Sequence, residues 1–531
     1  MSGFTGLAPL ARLALRRDRV LLPVWVAVFV LTAWSSAAAT VELYPTADSR
    51  IAAAGGINAA PALVAFYGRI YDPSSLGAIA MIKMTGLGAA MVAVLAIVLL
   101  VRHTRADEEA GRLELVGAGV VGRQAALGAA LLVTLLANLA LALFTAAVLA
   151  AAGLPVAGSI AFGLAWAATG LAFAGVAAVA VQLATNRRTA VGLSVFVLGA
   201  AYLLRAVGDT AGPEGPGWAT WLSPIGWSQG VRPYAHERWW VFALLVGFAA
   251  VCSAAAFALS AHRDLGAGLL PDRPGPDRAG VGLHSALGLA WRLQRGALLG
   301  WAVAFVVLGA VLGGIVTSID SMLDSPQARE FFVRLGGEKA LSDAFLATDL
   351  GFVGVCAAAY GIQAAMRLRS EEQGLRAEPL LAAAVGRVRW TLSHTLIALL
   401  GSAVLVGCAG LAAGVSYALA TDDPGQVGRV LAAALVQIPA VWVLTGLVVA
   451  VFGLLPRAAM AGWAALVGFL LIAEVGPLLQ VDQLVLDLSP FAHVPRMPGA
   501  PFTAVPLLWL LAVAGALLAA GLVGVRRRDV G

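Results

Sequence analysis

Long apolar stretches, separated by short polar or charged segments, run from one end of this chain to the other. Most of them last about 20 residues or more, the length at which an α-helix crosses the hydrocarbon core of a bilayer. In the first half they lie at Val20–Ala39, Ala78–Val101, Gln124–Ala152, Ile160–Gln182, Thr189–Val207 and Trp239–Ser260. In the second half they lie at Gly296–Thr317, Leu350–Leu368, Trp390–Ala420, Gly428–Phe452, Arg457–Val475 and Ala504–Val525. The pattern predicts an all-α polytopic membrane protein with about twelve transmembrane helices.

Composition agrees with this class. The chain has 531 residues, of which 60% are hydrophobic and 12% are charged, whereas soluble domains carry about 25% charged residues. The net charge of +6 raises the question of nucleic acid. We exclude nucleic acid as a partner because the arginines lie in short segments beside apolar stretches, where membrane topology places basic residues.

The basic residues also predict an orientation. With the N-terminus in the cytoplasm, about two thirds of the Lys and Arg residues fall on the cytoplasmic side, as the positive-inside rule requires. We therefore expect a multi-pass protein of a bacterial cytoplasmic membrane with both termini in the cytoplasm. Arg16, Arg17 and Arg19 before the first stretch resemble a signal peptide, but the same pattern recurs internally at Arg292–Trp301. An internal segment is not a signal peptide, so we predict that the first stretch is retained.

One charged segment occurs twice. "RADEEAGRLELVGAGVVGR" (Arg105–Arg123) and "RSEEQGLRAEPLLAAAVGR" (Arg369–Arg387) are 264 positions apart and match at 8 of 19 residues. Most matches are charged residues or glycine, so shared hydrophobicity does not explain them. The matched residues are Arg105, Glu108, Arg112, Glu114, Ala118, Val121, Gly122 and Arg123, against Arg369, Glu372, Arg376, Glu378, Ala382, Val385, Gly386 and Arg387.

The repeat extends to the whole architecture. Each half holds six predicted spans, an even number, so the halves form two parallel six-helix repeats. A second echo, "WLSPIGW" (Trp221–Trp227) against "DLSPFAH" (Asp487–His493), precedes the last span of each half. We predict a first half over residues 1–262, a polar cytoplasmic linker over 263–283, and a second half over 284–531.

Both charged segments are predicted to be amphipathic cytoplasmic helices. Glu108 and Arg112 stand in the favourable i,i+4 order, as do Glu372 and Arg376. Such a helix could rest on lipid headgroups or dock a cytoplasmic partner. Headgroup helices are rich in Lys and Arg, but these segments carry about as many acids as bases and occur in two matched copies. Docking is therefore the favoured interpretation.

The segments resemble the "E-E-x-G-x-L-E-L-L-x-x-x-P-V-x-R" motif of type-2 ABC exporter permeases. Glu108, Glu109, Gly111, Leu113, Glu114, Leu115 and Arg123 fit it in the first half, and Glu371, Glu372, Gly374, Glu378, Leu380, Leu381 and Arg387 in the second. The usual proline is missing, and Val121 and Val385 stand near its place. Two fused halves in an Arg- and Ala-rich chain resemble actinobacterial exporters of polyketide antibiotics, of the tetronasin-resistance type.

The resemblance implies a permease that exports amphipathic molecules. The two segments would be coupling helices that dock two separate ATPase subunits, which would hold ATP and Mg, with no cofactor on this chain. The implied docking residues are Glu108, Glu109, Gly111, Arg112, Leu113, Glu114, Arg123, Glu371, Glu372, Gly374, Arg376, Glu378 and Arg387. Segments Ala8–Arg19 and His284–Arg295 would be elbow helices along the inner surface. The chain has no GxxxxGK[ST] phosphate-binding motif, so an ATPase partner is needed.

Catalytic or metal chemistry is not indicated. Cys252, Cys356 and Cys408 lie in apolar segments and are expected to be small buried residues. None of the six histidines stands at a metal or catalytic spacing. We therefore predict a transport subunit and not an enzyme.

Few polar residues interrupt the predicted spans: Lys83, Asn138, Arg205, Gln437 and Glu474. Charges inside a bilayer usually face a cavity or a partner, but Lys83, Arg205 and Glu474 lie near span ends, where a side chain can reach the interface. We hypothesise that Arg205 and Glu474 approach each other and help to close an outer gate, with Lys83 near the path.

Two other functions remain open. A proton-coupled drug antiporter also has two six-span halves, but the chain lacks the G-x-x-x-D-[RK]-x-G-[RK] loop after the second span and has no acid at the middle of a predicted span that would carry protons. The other is a membrane scaffold or sensor that transports nothing.

Overall fold

The computed structural model describes residues 3–210, 217–270, 277–278, 280–322, 338–458, 460–475 and 482–528. Throughout these residues the regular elements are helices. The α-helices of the first half are α1 (Leu7–Arg17), α2 (Leu21–Leu43), α3 (Ala47–Ala59), α4 (Pro61–Tyr67), α5 (Leu76–Lys83), α6 (Ala89–Arg102), α7 (Arg105–Glu109), α8 (Arg112–Gly117), α9 (Ala125–Ala151), α10 (Val156–Leu183), α11 (Arg187–Thr210), α12 (Pro224–Gly230) and α13 (Val241–Ser260). Those of the second half are α14 (Ala286–Met322), α15 (Glu338–Ala365), α16 (Arg367–Gln373), α17 (Ala377–Leu381), α18 (Arg387–Thr421), α19 (Gly425–Leu435), α20 (Ile438–Leu454), α21 (Ala461–Val475), α22 (Gln483–Leu486) and α23 (Ala504–Arg527). Short 3₁₀ helices lie at Gly217–Leu222, Val281–Leu283, Pro456–Ala458 and Pro490–His493, and a π-helix at Met84–Gly88 follows α5.

The predicted membrane class is confirmed. Over the described residues, eleven helices are long and apolar enough to cross a bilayer. The remaining predicted span, Arg457–Val475, overlaps α21, of which 15 residues are described.

The chain divides into two compact units, Met1–Pro274 and Gly275–Gly531. The boundary falls inside the segment predicted as a linker, residues 263–283. The beginning of that segment nevertheless packs on the first unit. The backbone amides of Leu269 and Leu270 donate to the carbonyl oxygens of Gln182 and Leu183 at the end of α10, at 3.0 Å each.

Each unit is built around a buried span. In the first, α10 packs against α6, α9, α11 and α13 and buries Phe162, Trp166 and Phe173. In the second, α20 packs against α15, α21 and α23 and buries Val441, Leu444 and Val448 through its middle. Because lipid tails are as apolar as these side chains, close van der Waals packing is the main force that holds such helices together.

Small residues allow the closest of these approaches. A Cβ atom added at Gly309 or Gly313 of α14 would lie 2.2 Å from the carbonyl oxygen of Ala409 or Ala413 of α18, respectively. Glycine at both positions therefore lets the two backbones touch, as in other small-residue helix pairs of membranes. The abundance of Ala and Gly in these spans thus has a packing role.

The two predicted elbow segments differ. The first is a separate helix, α1, which ends beside Asp18, a buried residue whose carboxylate lies 3.1 Å from Arg102 Nη2 and 2.5 Å from His103 Nε2. The second prediction was wrong in form, because His284–Arg295 runs into the continuous helix α14. In the "RRDR" and "RLQR" alignment Asp18 is replaced by Gln294, whose amide instead contacts His394 Nδ1 at 3.1 Å from inside the helix.

Candidate docking loops

The two repeated segments, called here the first loop (105–123) and the second loop (369–387), each contain two short helices and not one. In the first loop α7 and α8 are separated at Gly111, which has a left-handed φ of 69°. In the second loop α16 and α17 are separated at Leu375, with φ of 55°. Gly111 and Leu375 occupy aligned positions of the repeat. A left-handed residue ends a helix because it breaks the run of helical backbone angles, so the prediction of one continuous amphipathic helix was wrong.

The break removes the predicted i,i+4 ion pairs. Arg112 pairs with Asp107, at 2.7 Å between Nη2 and Oδ1. Arg376 pairs with Glu371, at 3.3 Å between Nε and Oε2. Glu108 turns away from Arg112 and towards its own half.

A bidentate ion pair joins each loop to the end of the last span of its half. Glu108 accepts hydrogen bonds from Nη1 and Nη2 of Arg263 at 2.7 and 3.0 Å. Glu372 accepts from Nη1 and Nη2 of Arg528 at 2.7 and 2.9 Å. Arg263 follows α13 and Arg528 follows α23, so the geometry is the same in both halves. Paired N–H groups of one guanidinium on one carboxylate fix both distance and orientation.

The arginine that closes each loop reinforces this contact. Arg123 donates to the carbonyl oxygen of Arg263 at 2.5 Å and to that of Ser260 at 3.1 Å. Arg387 donates to the carbonyl oxygen of Arg528 at 2.6 Å. We call Glu108, Arg263 and Arg123 the first clamp, and Glu372, Arg528 and Arg387 the second clamp.

The arginine that opens each repeated segment binds the end of the fourth span. Arg105 Nη2 donates to the carbonyl oxygen of Val181 near the end of α10 at 2.5 Å. Arg369 Nη1 donates to the carbonyl oxygen of Pro456, just past the end of α20, at 2.5 Å. Each loop is therefore fastened to two spans of its own half through side chains that the repeat retains.

These contacts change the interpretation of the matched residues. Arg105 and Glu108 are buried, and Glu372 is largely enclosed by Arg528. They are occupied within their own half and are poorly placed to meet a partner directly. The charged identities between the two segments are explained by the fastening of each loop, which sequence reasoning missed because its arginine partners lie about 155 positions away. The one sign of these contacts in the sequence is that an arginine, Arg263 or Arg528, stands three residues after the last predicted span of each half.

Other predicted docking residues do face outward, forming an exposed tip on each loop. In the first loop Arg112 and Glu114 are exposed, and Leu115 is 80% exposed. In the second loop Arg376 and Glu378 are exposed. Of the remaining predicted residues, Leu113 is half-buried, Glu109 accepts a hydrogen bond from the amide of Arg187, Glu371 is buried against Arg367 and Arg376, and Gly374 precedes the left-handed turn.

The predicted gate residues have different environments. Arg205 is fully buried, against the expectation that it reaches the interface. Its Nη2 donates to the carbonyl oxygen of Ala65 at 2.7 Å, and its Nη1 lies 3.5 Å from Asp209. Lys83 is exposed at the end of α5. Glu474 belongs to α21, but its side chain lies outside the described residues, so the gate stays a prediction.

An acid inside a span was also missed. The sequence predicts that the eighth span begins at Leu350, which leaves Asp349 just outside it. The structure starts the corresponding helix, α15, at Glu338, so Asp349 lies within it. The predicted start of the eighth span was therefore wrong, and an acid that this prediction left outside the span belongs to its helix. In the part of the chain that the structure describes, no cluster of three His, Cys, Asp or Glu residues could hold a metal ion.

Apolar membrane-spanning helices, with two fastened loops at corresponding places, define an all-α multi-pass membrane protein. Comparison with known proteins gives the family. Residues 283–526 match the family described as the C-terminal domain of the multidrug efflux system permease Rv1217c. The chain is 47% identical over 532 residues to the multidrug efflux system permease protein Rv1217c of Mycobacterium tuberculosis (strain ATCC 25618 / H37Rv), covering 100% of this chain and 96% of the relative. The chain belongs to this family of multidrug efflux permeases.

Proposed function

We propose that this protein is the permease subunit of an ATP-driven exporter of the type-2 ABC class. It moves amphipathic drugs, polyketide antibiotics or lipid-like molecules out of the cell, and separate subunits hydrolyse ATP. The observation that carries the proposal is the pair of loops, each fastened to its own half and each with an exposed tip. The name of the relative from Mycobacterium tuberculosis, a multidrug efflux permease, supports export of drugs.

In this proposal the loops transmit force. An ATPase subunit docks on each tip, and movement of the tip is passed through the clamp to the end of the last span and through Arg105 or Arg369 to the end of the fourth span. A bidentate ion pair fixes both the distance and the orientation of the groups that it joins. A movement of the loop is therefore passed to the end of the span with little loss. ATP and Mg²⁺ belong to the partner, and no residue of this chain is assigned to them.

The proposed orientation places both loops and both termini in the cytoplasm of a bacterium. The support is the charge distribution. With both termini in the cytoplasm, about two thirds of the Lys and Arg residues fall on the cytoplasmic side, as the positive-inside rule requires.

Two loops in one chain imply two ATPase subunits for each permease. The test is to co-express the chain with a candidate ATPase and to measure the mass of the purified complex. One 54.1 kDa permease with two ATPase chains is expected. Two permeases with two ATPases would contradict the proposal that both loops of one chain are used.

The exposed tips give a second, sharper readout. Reversal of charge at Glu114 and Glu378 is expected to abolish drug-stimulated ATP hydrolysis while leaving the protein in the membrane. Because single exposed charges contribute little, both tips are changed together. Normal stimulation in the double variant would contradict docking at the tips.

A second candidate, a proton-coupled antiporter, is favoured by one observation, the presence of Asp349 within α15. Inverted membrane vesicles separate the two functions. Drug uptake that needs ATP and the partner subunit, and that survives collapse of the proton gradient, supports the ABC exporter. Uptake driven by the gradient without ATP supports the antiporter.

A further inference from the structure

A cavity of about 810 Å³ lies inside the second half. Its wall combines aromatic and aliphatic side chains with a few polar ones. The polar side chains are Thr348, Asp349, Gln437, Ser489 and Arg496, and the larger apolar ones are Phe352, Val355, Leu466, Phe469, Leu470 and Phe491. A large, mostly apolar cavity with a few convergent polar groups is the usual form of a small-molecule site.

Two polar atoms in this wall lack partners. Oδ2 of Asp349 and Oγ of Ser489 are both buried and make no hydrogen bond to any residue that the structure describes. Ser489 is 2% exposed and Gln437 is 5% exposed. Buried polar groups are nearly always hydrogen-bonded, so two orphan oxygens on one cavity indicate a polar occupant.

In the first half, the serine that corresponds to Ser489 is hydrogen-bonded. This serine, Ser223, donates to the carbonyl oxygen of Ala201 on α11 at 2.6 Å and accepts from the amide of Gly226 at 3.2 Å. The motif serine of the second half, Ser489, makes neither kind of bond, so the two halves have diverged at this place.

Asp349 also lacks an ion-pair partner within 4.0 Å among the described residues. Arg496 lines the same cavity, but it is exposed and forms no such pair with Asp349. A charge within a membrane-spanning helix is costly unless something compensates it. A cationic ligand would supply that compensation.

We propose that this cavity binds lipophilic organic cations, with Asp349 as the counter-ion. The rings of Phe352, Phe469 and Phe491 cover its apolar body and attract its charge. Ser489 and Gln437 accept hydrogen bonds from those ligands that carry N–H or O–H groups. The inference rests on the proposed export function, for which it names a substrate class.

The test measures binding to the purified full-length permease alone, without ATP or a partner, so it does not depend on the energy source. The probes are tetraphenylphosphonium and tetraphenylborate, which have nearly the same size and opposite charge. The wild-type protein is expected to bind the cation and to bind the anion far more weakly. Asp349→Asn is expected to weaken cation binding by about tenfold or more, since loss of a charged partner costs at least 1.4 kcal/mol.

Two further variants guard against misfolding and general charge effects. Gly351 lines the cavity, and a Cβ atom added there meets no atom within 4 Å, so Gly351→Leu should fold and should weaken binding by filling space. Asp487→Asn removes an exposed acid outside the cavity wall and should leave binding unchanged. Absent binding of the cation to the wild type, equal binding of both probes, or unchanged binding in Asp349→Asn overturns the inference. Failure of ATP-driven transport with cation binding intact would count against the proposed function alone.

Discussion

Loss of one clamp should loosen one loop and leave the other unchanged. Glu372→Gln keeps the size of the side chain but removes the charge that holds Arg528. The pair is largely enclosed, with side-chain exposures of 13% for Glu372 and 17% for Arg528. A hydrogen bond to a charged group contributes about 1.5–3 kcal/mol. At 1.4 kcal/mol per factor of ten, local opening of the second loop should become about ten to a hundred times more frequent.

The measurement is amide hydrogen exchange of the purified protein, followed by mass spectrometry of peptides from both loops. Such exchange reports local opening free energies. Peptides that cover α16 and α17 should exchange faster in Glu372→Gln, while those that cover α7 and α8 should keep the wild-type rate. Glu108→Gln should show the reverse. It should have the larger effect, because Glu108 also accepts from the amide of Gly266 at 2.6 Å and pairs with Arg105 at 3.0 Å.

The control is Glu378→Gln, which removes an equal charge from the same loop at an exposed position. It should leave exchange in both loops unchanged. A double change, Glu372→Gln with Arg528→Gln, should differ from the sum of the single changes by most of the pair's energy, as residues in direct contact do. Wild-type exchange in Glu372→Gln, or equal acceleration of both loops, would refute the assignment of the clamp.

Two further predictions concern backbone geometry. Leu375→Gly should stabilise the left-handed turn of the second loop by about 1 kcal/mol and so slow amide exchange there. Gly111→Ala should destabilise the turn of the first loop by a similar energy and so speed exchange there. Faster exchange in Leu375→Gly and slower exchange in Gly111→Ala would show that these turns are not strained. Gly313→Val should prevent proper folding of the second half, seen as loss of monodisperse protein after extraction, because its Cβ would lie 2.2 Å from the Ala413 carbonyl oxygen. The control is Gly300→Val on the same helix. Its Cβ meets no atom within 4 Å, so this variant should be tolerated. Equal yields of monodisperse protein from both variants would contradict the close packing of α14 on α18.

The spans were predictable because their signal is local. Hydropathy over about 20 residues depends on no distant contact, and each of the eleven long apolar helices overlaps a predicted span. The errors arose where a helix end depends on one side chain or on backbone conformation. The first helix, α1, ends just before Asp18, whereas α14 continues through the aligned residue, Gln294. Leu375 adopts a left-handed φ, which leucine itself does not favour.

The contacts of the loops could not be predicted for a different reason. Arg263 and Arg528 looked like ordinary basic residues after a span, which topology alone explains. Their partners lie 155 and 156 positions away, and a single sequence carries no signal for such pairs. The identity between the loops did reveal that Glu108 and Glu372 share a role, but it did not distinguish contact with a partner from contact within the half.

The pattern of divergence bears on how the proposed ATPase subunits would be gripped. The acidic residue of each clamp is retained because it is ion-paired, so a change in its partner leaves a largely enclosed charge unpaired. The exposed tips carry no such constraint. In the alignment of the repeat, Leu115 of the first loop corresponds to Pro379 of the second. Two identical ATPase subunits would then meet two different surfaces, each held by the same fastening. In the second half the buried Ser489 also lacks the two hydrogen bonds that Ser223 makes in the first half. The two halves would therefore share the clamps, which receive the movement of the ATPase subunits, and differ around the cavity of the second half.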